Sequence, residues 1–339
     1  MINKEYAALY KKSNAHRSYF DLPLLSIINK LTAIKRNLSS LVFIGPNPDF
    51  FLKKLDPLVF KEIKELYVCD HTKISLDQSM KELNEEYKDS SLKIIPRLVD
   101  EENWDFEEKT LDGIVSNMQM HWVNYFDSTF HKLHQSLKPD GLLIFSMMGA
   151  NTLNELKLSF VMAEQEREGG TSPVIAPMIS LQNIGDLLDV AGYRIVTTDM
   201  IRFAYEFNSM FTLMQFLQLV GETNILHEKR QYKSKDTFIA AAAIYQSLFN
   251  KQIHDMKNEI SEKLIEVDVF AEEKGKVTNI VASFEVMYGI GWKEPRKSAE
   301  TELISKRKPI DLKKMAEELK KMADTRYGSI DSSGNLIEK

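Results

Sequence analysis

Short apolar runs, each followed by a charged stretch of helical length, govern what the first half of this chain can fold into. They occupy residues 41–44, 66–69, 92–95, 113–116 and 142–147, with segments such as 76–87 and 126–137 between them. Strand and helix alternating in this way predict a parallel sheet covered on both faces, an α/β architecture. The turn Pro139-Asp140-Gly141 is expected to end one helix and launch the fifth strand, with glycine taking the left-handed conformation. A sixth strand over 193–198 follows a helix over 181–190 and the cap-like Gly192. Residues 209–250 read as helical, with Phe211, Met214, Phe216, Leu217 and Val220 on one face, and 251–276 as a solvated polar segment. In 277–292, Ile280, Ala282, Phe284, Val286 and Tyr288 fall two apart, which predicts a last strand. The expected organisation is N-terminal helices over 1–40, a main domain over 41–293, and a charged tail over 294–339 holding a helix at 312–322.

Composition narrows the function classes. The chain has 339 residues, 43% hydrophobic and 27% charged, which fits a globular core and excludes disorder throughout. A single cysteine, Cys69, excludes a disulfide framework and a zinc site built on paired thiolates. No apolar run approaches the roughly 20 residues that cross a bilayer. The net charge of −5 argues against nucleic-acid binding, which needs a basic surface. Residues 1–40 are basic, with Lys4, Lys11, Lys12, Arg17, Lys30, Lys35 and Arg36 against Glu5 and Asp21. They read as surface helices or as an organelle import signal, and no secretory signal is seen, so the expected compartment is reducing. The basic stretch after Lys293 reads as a solvated helix or as a peripheral docking segment for an acidic partner or membrane surface.

Open parallel sheets bind ligands at the carboxyl ends of their strands. Here those ends hold Gly45 to Asp49, Asp70, Asp100 with Glu101, and Asn117 with Met118. An acid at the second strand end can accept from both ribose hydroxyls, and one a strand further can receive an adenine amine. Asp70 and Asp100 therefore suggest a nucleoside site, the alternative being that they cap the following helices. Gly45-Pro46-Asn47-Pro48-Asp49 lacks the lysine and glycine amides of a phosphate-binding loop. His121 beside Trp122 places an imidazole and an aromatic wall near the same edge, or packs a helix start. Three carboxylates and Arg167 between Glu164 and Glu168, ahead of Gly169-Gly170, read as a mobile lid or partner surface. Glu166 and Arg167 there are candidates for gripping a guanidinium substrate, and a solvated helix end is the alternative. His131 and His134 share a helix face, but no third ligand is evident and no metal site is expected.

The segments DGIVSNMQMHWVN at 112–124, LKPDGLLIFSMMGANTLNELK at 137–157 and AEQEREGGTSPVIAP at 163–177 look familiar, as do SMFTLMQFLQLVGETN at 209–224, AAAAIYQ at 240–246 and MYGIGWK at 287–293. Through them the chain resembles the class I S-adenosylmethionine-dependent methyltransferase superfamily. Within it the chain is similar to the mitochondrial respiratory complex I assembly factors that hydroxylate arginine, and to their bacterial relatives. The resemblance implies a Rossmann-like seven-stranded sheet with the last strand antiparallel, an inserted helical cap, and S-adenosylmethionine as cofactor. Asp70 matches the ribose-binding acid, Asp100 and Glu101 the adenine-pocket acids, and Asn117 and Met118 the methionine-lining strand end. Gly45 and Asn47 fall on the first cofactor motif. The implied substrate is an arginine in an iron–sulfur subunit near the quinone site, modified in the mitochondrial matrix, with other assembly factors as partners and the bacterial cytoplasm as the alternative location. A catalytically silent assembly factor or accessory subunit that acts by binding protein is the second implied role. The chain departs from the superfamily where Phe43 replaces an acid and where Asn47 and Asp49 replace glycines. Phe43 removes a carboxylate, Asp49 adds a negative charge, and Pro46 and Pro48 remove two backbone donors.

Overall fold

The computed structural model describes residues 17–34, 36–88, 90–171, 175–223, 233–249, 264–265, 280–295, 329–330 and 336–337. The expected helix at 312–322, residues 1–16 of the expected N-terminal helices, and nearly all of the polar segment at 251–276 lie outside them. The chain divides at Glu294 into two units. The second contains an antiparallel pairing of Ser329–Ile330 with Leu336–Ile337.

In the first unit, helix α1 (Arg17–Ala33) precedes β1 (Ser40–Ile44), α2 (Pro48–Lys54), α3 (Pro57–Glu62) and β2 (Glu65–Asp70). Next come α4 (Lys73–Glu86), β3 (Lys93–Leu98), β4 (Leu111–Asn117), a single 3₁₀ turn (Met120–Trp122), α5 (Phe126–Ser136) and β5 (Leu137–Met148). Then follow α6 (Asn154–Glu168), α7 (Leu181–Val190), β6 (Arg194–Phe207), α8 (Met210–Val220), α9 (Lys235–Phe249), the two-residue β7 (Leu264–Ile265) and β8 (Ile280–Trp292). The strand order is β3-β2-β1-β4-β5-β8-β6-β7. β1 to β5 pair in parallel, whereas β8 runs antiparallel to both β5 and β6. This is the expected doubly covered α/β sheet of seven main strands, with the two helices α8 and α9 inserted before the last.

The covering follows from the burial pattern. β1, β4 and β5 are almost wholly buried, as strands covered on both faces must be. One core lies between the sheet and α5 and α7, through Phe130, Leu133, Ile184 and Leu188. The other gathers Leu24 and Ile27 of α1, Phe51 of α2, Phe160 of α6, Phe216 of α8 and Tyr245 of α9. The β5–β8 register sets Phe145 against Gly289, where an added Cβ would lie 2.3 Å from the Phe145 ring.

Two local expectations are corrected. At 139–141 the left-handed residue is Asp140, with φ 69°, and not the glycine. Asp140 donates its amide to the Lys293 carbonyl at 3.1 Å, which ties the turn to the end of β8. The sixth strand runs to Phe207 rather than stopping at 198, because it pairs along the whole of β8 down to Phe207 opposite Ile280. Its register slips between Arg194 and Thr197, where exposed Ile195 takes φ 51°, a conformation that β-branched residues avoid outside bulges.

Candidate functional site at the carboxyl edge of the sheet

The loop leaving β1 turns at Gly45, whose φ is 120° and whose missing Cβ would lie 2.4 Å from the Asn117 carbonyl. Only glycine allows β1 and β4 to end so close together. Phe43, at the lost acid position, is fully buried with its ring 4.9 Å from that of Phe51. Asn47 is left-handed, and its side-chain amide donates to Asp21 of α1 at 2.8 Å. Asp49 sits buried in the first turn of α2, where the helix dipole favours a carboxylate, with Lys53 at 3.7 Å.

The acids at the next strand ends are also engaged. Asp70 Oδ1 accepts from the Thr72 amide at 2.9 Å and from its hydroxyl at 3.2 Å, and Oδ2 accepts from the Ser75 hydroxyl at 2.7 Å. These bonds hold the turn that leads from β2 into α4. Asp100 accepts from the Glu102 amide at 3.2 Å in a local turn. Glu101 is buried, and its charge joins burial in pushing the Cys69 thiol up. Glu102 accepts the amides of Asn124 and Tyr125 at 2.6 and 3.0 Å and so holds the start of α5.

At the end of β4, Asn117 is fully buried and used at both ends. Its amide donates to the Phe20 carbonyl of α1 at 3.1 Å, and its oxygen accepts from the Ser146 hydroxyl at 2.9 Å. Met118 is left-handed and fully buried, with its amide 3.0 Å from both the Ser146 carbonyl and hydroxyl. These residues test the fit of S-adenosylmethionine. Asp70, Asp100 and Asn117 stand at the strand ends where a nucleoside would lie, yet Asp70 and Asn117 spend their bonds within the chain. The β1 loop offers two prolines and a buried carboxylate where an amino acid's own carboxylate would need donors. The residues present do not fit the whole cofactor.

The 3₁₀ turn after β4 carries His121 and Trp122, both buried, with ring centroids 5.3 Å apart. His121 Nε2 lies 3.1 Å from Oε1 of Glu222, and the two side chains are 3% and 5% exposed. Glu222 is placed by the end of α8. Gly221, with φ 84°, closes the helix, and the Glu222 amide folds back onto the Leu217 carbonyl at 2.8 Å. Among the described residues, His121 Nδ1, Glu222 Oε2 and the Tyr205 hydroxyl are buried with no hydrogen-bond partner. Burial, then the charge of Glu222 and then Tyr205, push the Tyr19 phenol up, which marks Tyr19 as a neighbour of both. Glu222 was not singled out from sequence, although a glycine cap after an apolar helix is the signal that turns the following residue inward.

The remaining candidates lie elsewhere. Glu164 is fully buried and ion-paired with Lys233, and Glu168 accepts from the Thr237 hydroxyl at 2.6 Å, so both bind α6 to the start of α9. Glu166 and Arg167 face solvent, 3.7 Å apart, with side chains 64% and 52% exposed. Pro173 of the following loop lies outside the described residues. The segment after β5 is laced to β8: the Gly149 amide donates to the Glu285 carbonyl at 2.8 Å, and Thr152 exchanges bonds with the same residue. The Glu285 carboxylate takes Asn151 and the Arg202 guanidinium, and Glu155 takes the Ser283 hydroxyl at 2.8 Å. Among the described residues, no group of three or more His, Cys, Asp and Glu is placed to hold a metal ion, and no helix is long and apolar enough to cross a membrane.

A family described as methyltransferase domain matches residues 16–198. An arginine-hydroxylase NDUFAF5, mitochondrial, of Mus musculus is 31% identical over 268 residues, covering 79% of this chain and 68% of the mouse protein. Its counterpart in Dictyostelium discoideum is 36% identical over 200 residues, which are 59% of this chain and 41% of that protein. The chain spans about two-fifths to about half the length of the first curated relatives it matches. Among solved structures, the YcgJ protein of Bacillus subtilis has a TM-score of 0.46 at 13% identity, covering 80% of this chain and 98% of that one.

Proposed function

The chain belongs to the methyltransferase-domain family, and from that premise we propose that it acts in the assembly of mitochondrial respiratory complex I, hydroxylating an arginine of an iron–sulfur core subunit near the quinone site. The observation that carries this reading is the buried His121–Glu222 pair at the carboxyl edge of β4, the part of the edge whose polar atoms are not spent on the fold. The name of the mouse and Dictyostelium relatives, arginine-hydroxylase, supports arginine as the target. In this reading His121 and Trp122 face the reacting group. Glu166 and Arg167, exposed at the end of α6, meet the partner protein. The working place is the matrix, with peripheral contact at the inner-membrane face through the basic stretch after Lys293.

A second reading is favoured by one observation. The strand ends of β1, β2 and β4 that would hold a nucleoside are tied to α1, α4 and β5. A chain of that kind assists assembly by binding alone. Mass spectrometry of the iron–sulfur subunit from cells with and without this chain separates the two. Loss of one oxygen atom from the arginine, restored by the parent chain and not by His121→Ala, supports hydroxylation. An unaltered arginine alongside failed assembly leaves the binding role.

A further inference from the structure

Three buried carboxylates are matched by donors: Glu285 by Asn151 and Arg202, Glu155 by Ser283, Glu164 by Lys233. Glu222 is different. One oxygen meets His121, and the other is sealed from solvent with no donor. Its position adds to the cost, since it follows the C-terminal end of α8, where the helix carbonyls repel a negative charge. Around it the shell is aromatic. Tyr19 packs edge-on against Phe216 at 5.6 Å, and Phe216 lies 5.8 Å from Tyr205. A charge left uncompensated in such surroundings marks a place that a ligand completes.

The unpaired atoms say which ligand. When His121 donates from Nε2 to Glu222, its Nδ1 becomes an acceptor. Nδ1 and Glu222 Oε2, the two far atoms of this one pair, are then buried acceptors that no donor among the described residues serves. The complement is a planar cation with many N–H donors, no acceptors, and faces that stack on aromatic rings. We infer that the His121–Glu222 pair is the receptor for a guanidinium group, with Glu222 Oε2 taking its N–H fork and His121 holding the carboxylate in place. This assignment rests on the arginine reading above and gives that substrate its seat, at Glu222 and not at the exposed Glu166.

The test is calorimetric titration of the full chain with methylguanidinium and with its neutral isostere N-methylurea. Methylguanidinium is expected to bind at least tenfold more tightly than N-methylurea, and Glu222→Gln to lose at least tenfold while Glu166→Gln loses nothing. A folded Glu222→Gln chain that binds as well as the parent overturns the assignment. Should that variant not fold, the parent's His121 ring resonances decide, and an absence of shift on adding methylguanidinium overturns it equally. Binding lost in Glu166→Gln but kept in Glu222→Gln removes this seat while leaving arginine as substrate. A parent chain indifferent to methylguanidinium also removes it, and the oxygen on the subunit arginine still decides the wider reading.

Discussion

Two stretches of one sheet edge meet opposite fates in this molecule. Along β1 and β2, and at the tip of β4, side chains that could face a ligand hold the fold instead: Asn47 reaches Asp21, Asp70 holds the turn into α4, and Asn117 bridges Phe20 and Ser146. Four residues beyond Asn117, His121 meets a carboxylate brought from the far end of α8, and buried acceptors there stay unpaired. Occupying a strand end is therefore not enough to make a site. What matters is whether hydrogen-bonding capacity remains after the backbone has been served.

Substitutions can break that contrast. The largest effect is expected at Asn117→Ala, which strands the Phe20 carbonyl and the Ser146 hydroxyl in the core and should cost about 3 kcal/mol in urea unfolding. Asp70→Ala removes the three bonds that hold the turn into α4 and should cost about 2 kcal/mol. An unchanged midpoint in either variant would mean that this stretch is not committed to the fold. Acid stability sharpens the comparison by removing a confounder. His134, away from both stretches, has its pKa lowered from 6.5 to about 4, by burial first and by the Lys293 charge second. The folded state then binds fewer protons than the unfolded one, so stability present above pH 6.5 drains away as pH falls toward 4. For a half-buried ring the loss should be about 1 kcal/mol after discounting for solvent screening. His134→Leu should flatten that limb, and a limb that persists belongs to another group. The smallest effect is expected at Glu222→Gln, within about 0.5 kcal/mol of the parent or slightly stabilising, since it removes a charge that the fold does not compensate. A loss as large as that of Asp70→Ala would place Glu222 with the structural acids.

Local pattern made the central parallel strands legible because the apolar runs of β1, β4 and β5 are buried on both faces. The last strand was legible through its alternation. The extent of β6 was not, because residues beyond 198 are held by β8, more than seventy positions away. Strand β3 continues past Pro96 to Leu98 at the sheet's edge, where a missing amide is tolerated. At the site, Asp70 and Asp100 were found for their position, but whether a strand-end acid caps a helix or waits for a ligand depends on rotamers that spacing does not encode. His121 was legible as a residue and illegible as a pair, because its partner lies 101 positions away. Glu166 and Arg167 looked concentrated in sequence, yet one helical turn separates buried Glu164 from exposed Arg167.

The lacing of residues 149–153 onto β8 fixes how this edge can be approached. A segment whose amides and polar side chains are knotted to β8 cannot swing aside, so it serves as the doorframe. The amino-terminal helix meets the same edge through Asn47 and Asn117 but is also anchored by Leu24 and Ile27 in the core, so a visitor that displaced it would have to draw apolar side chains into water and not merely loosen two amides.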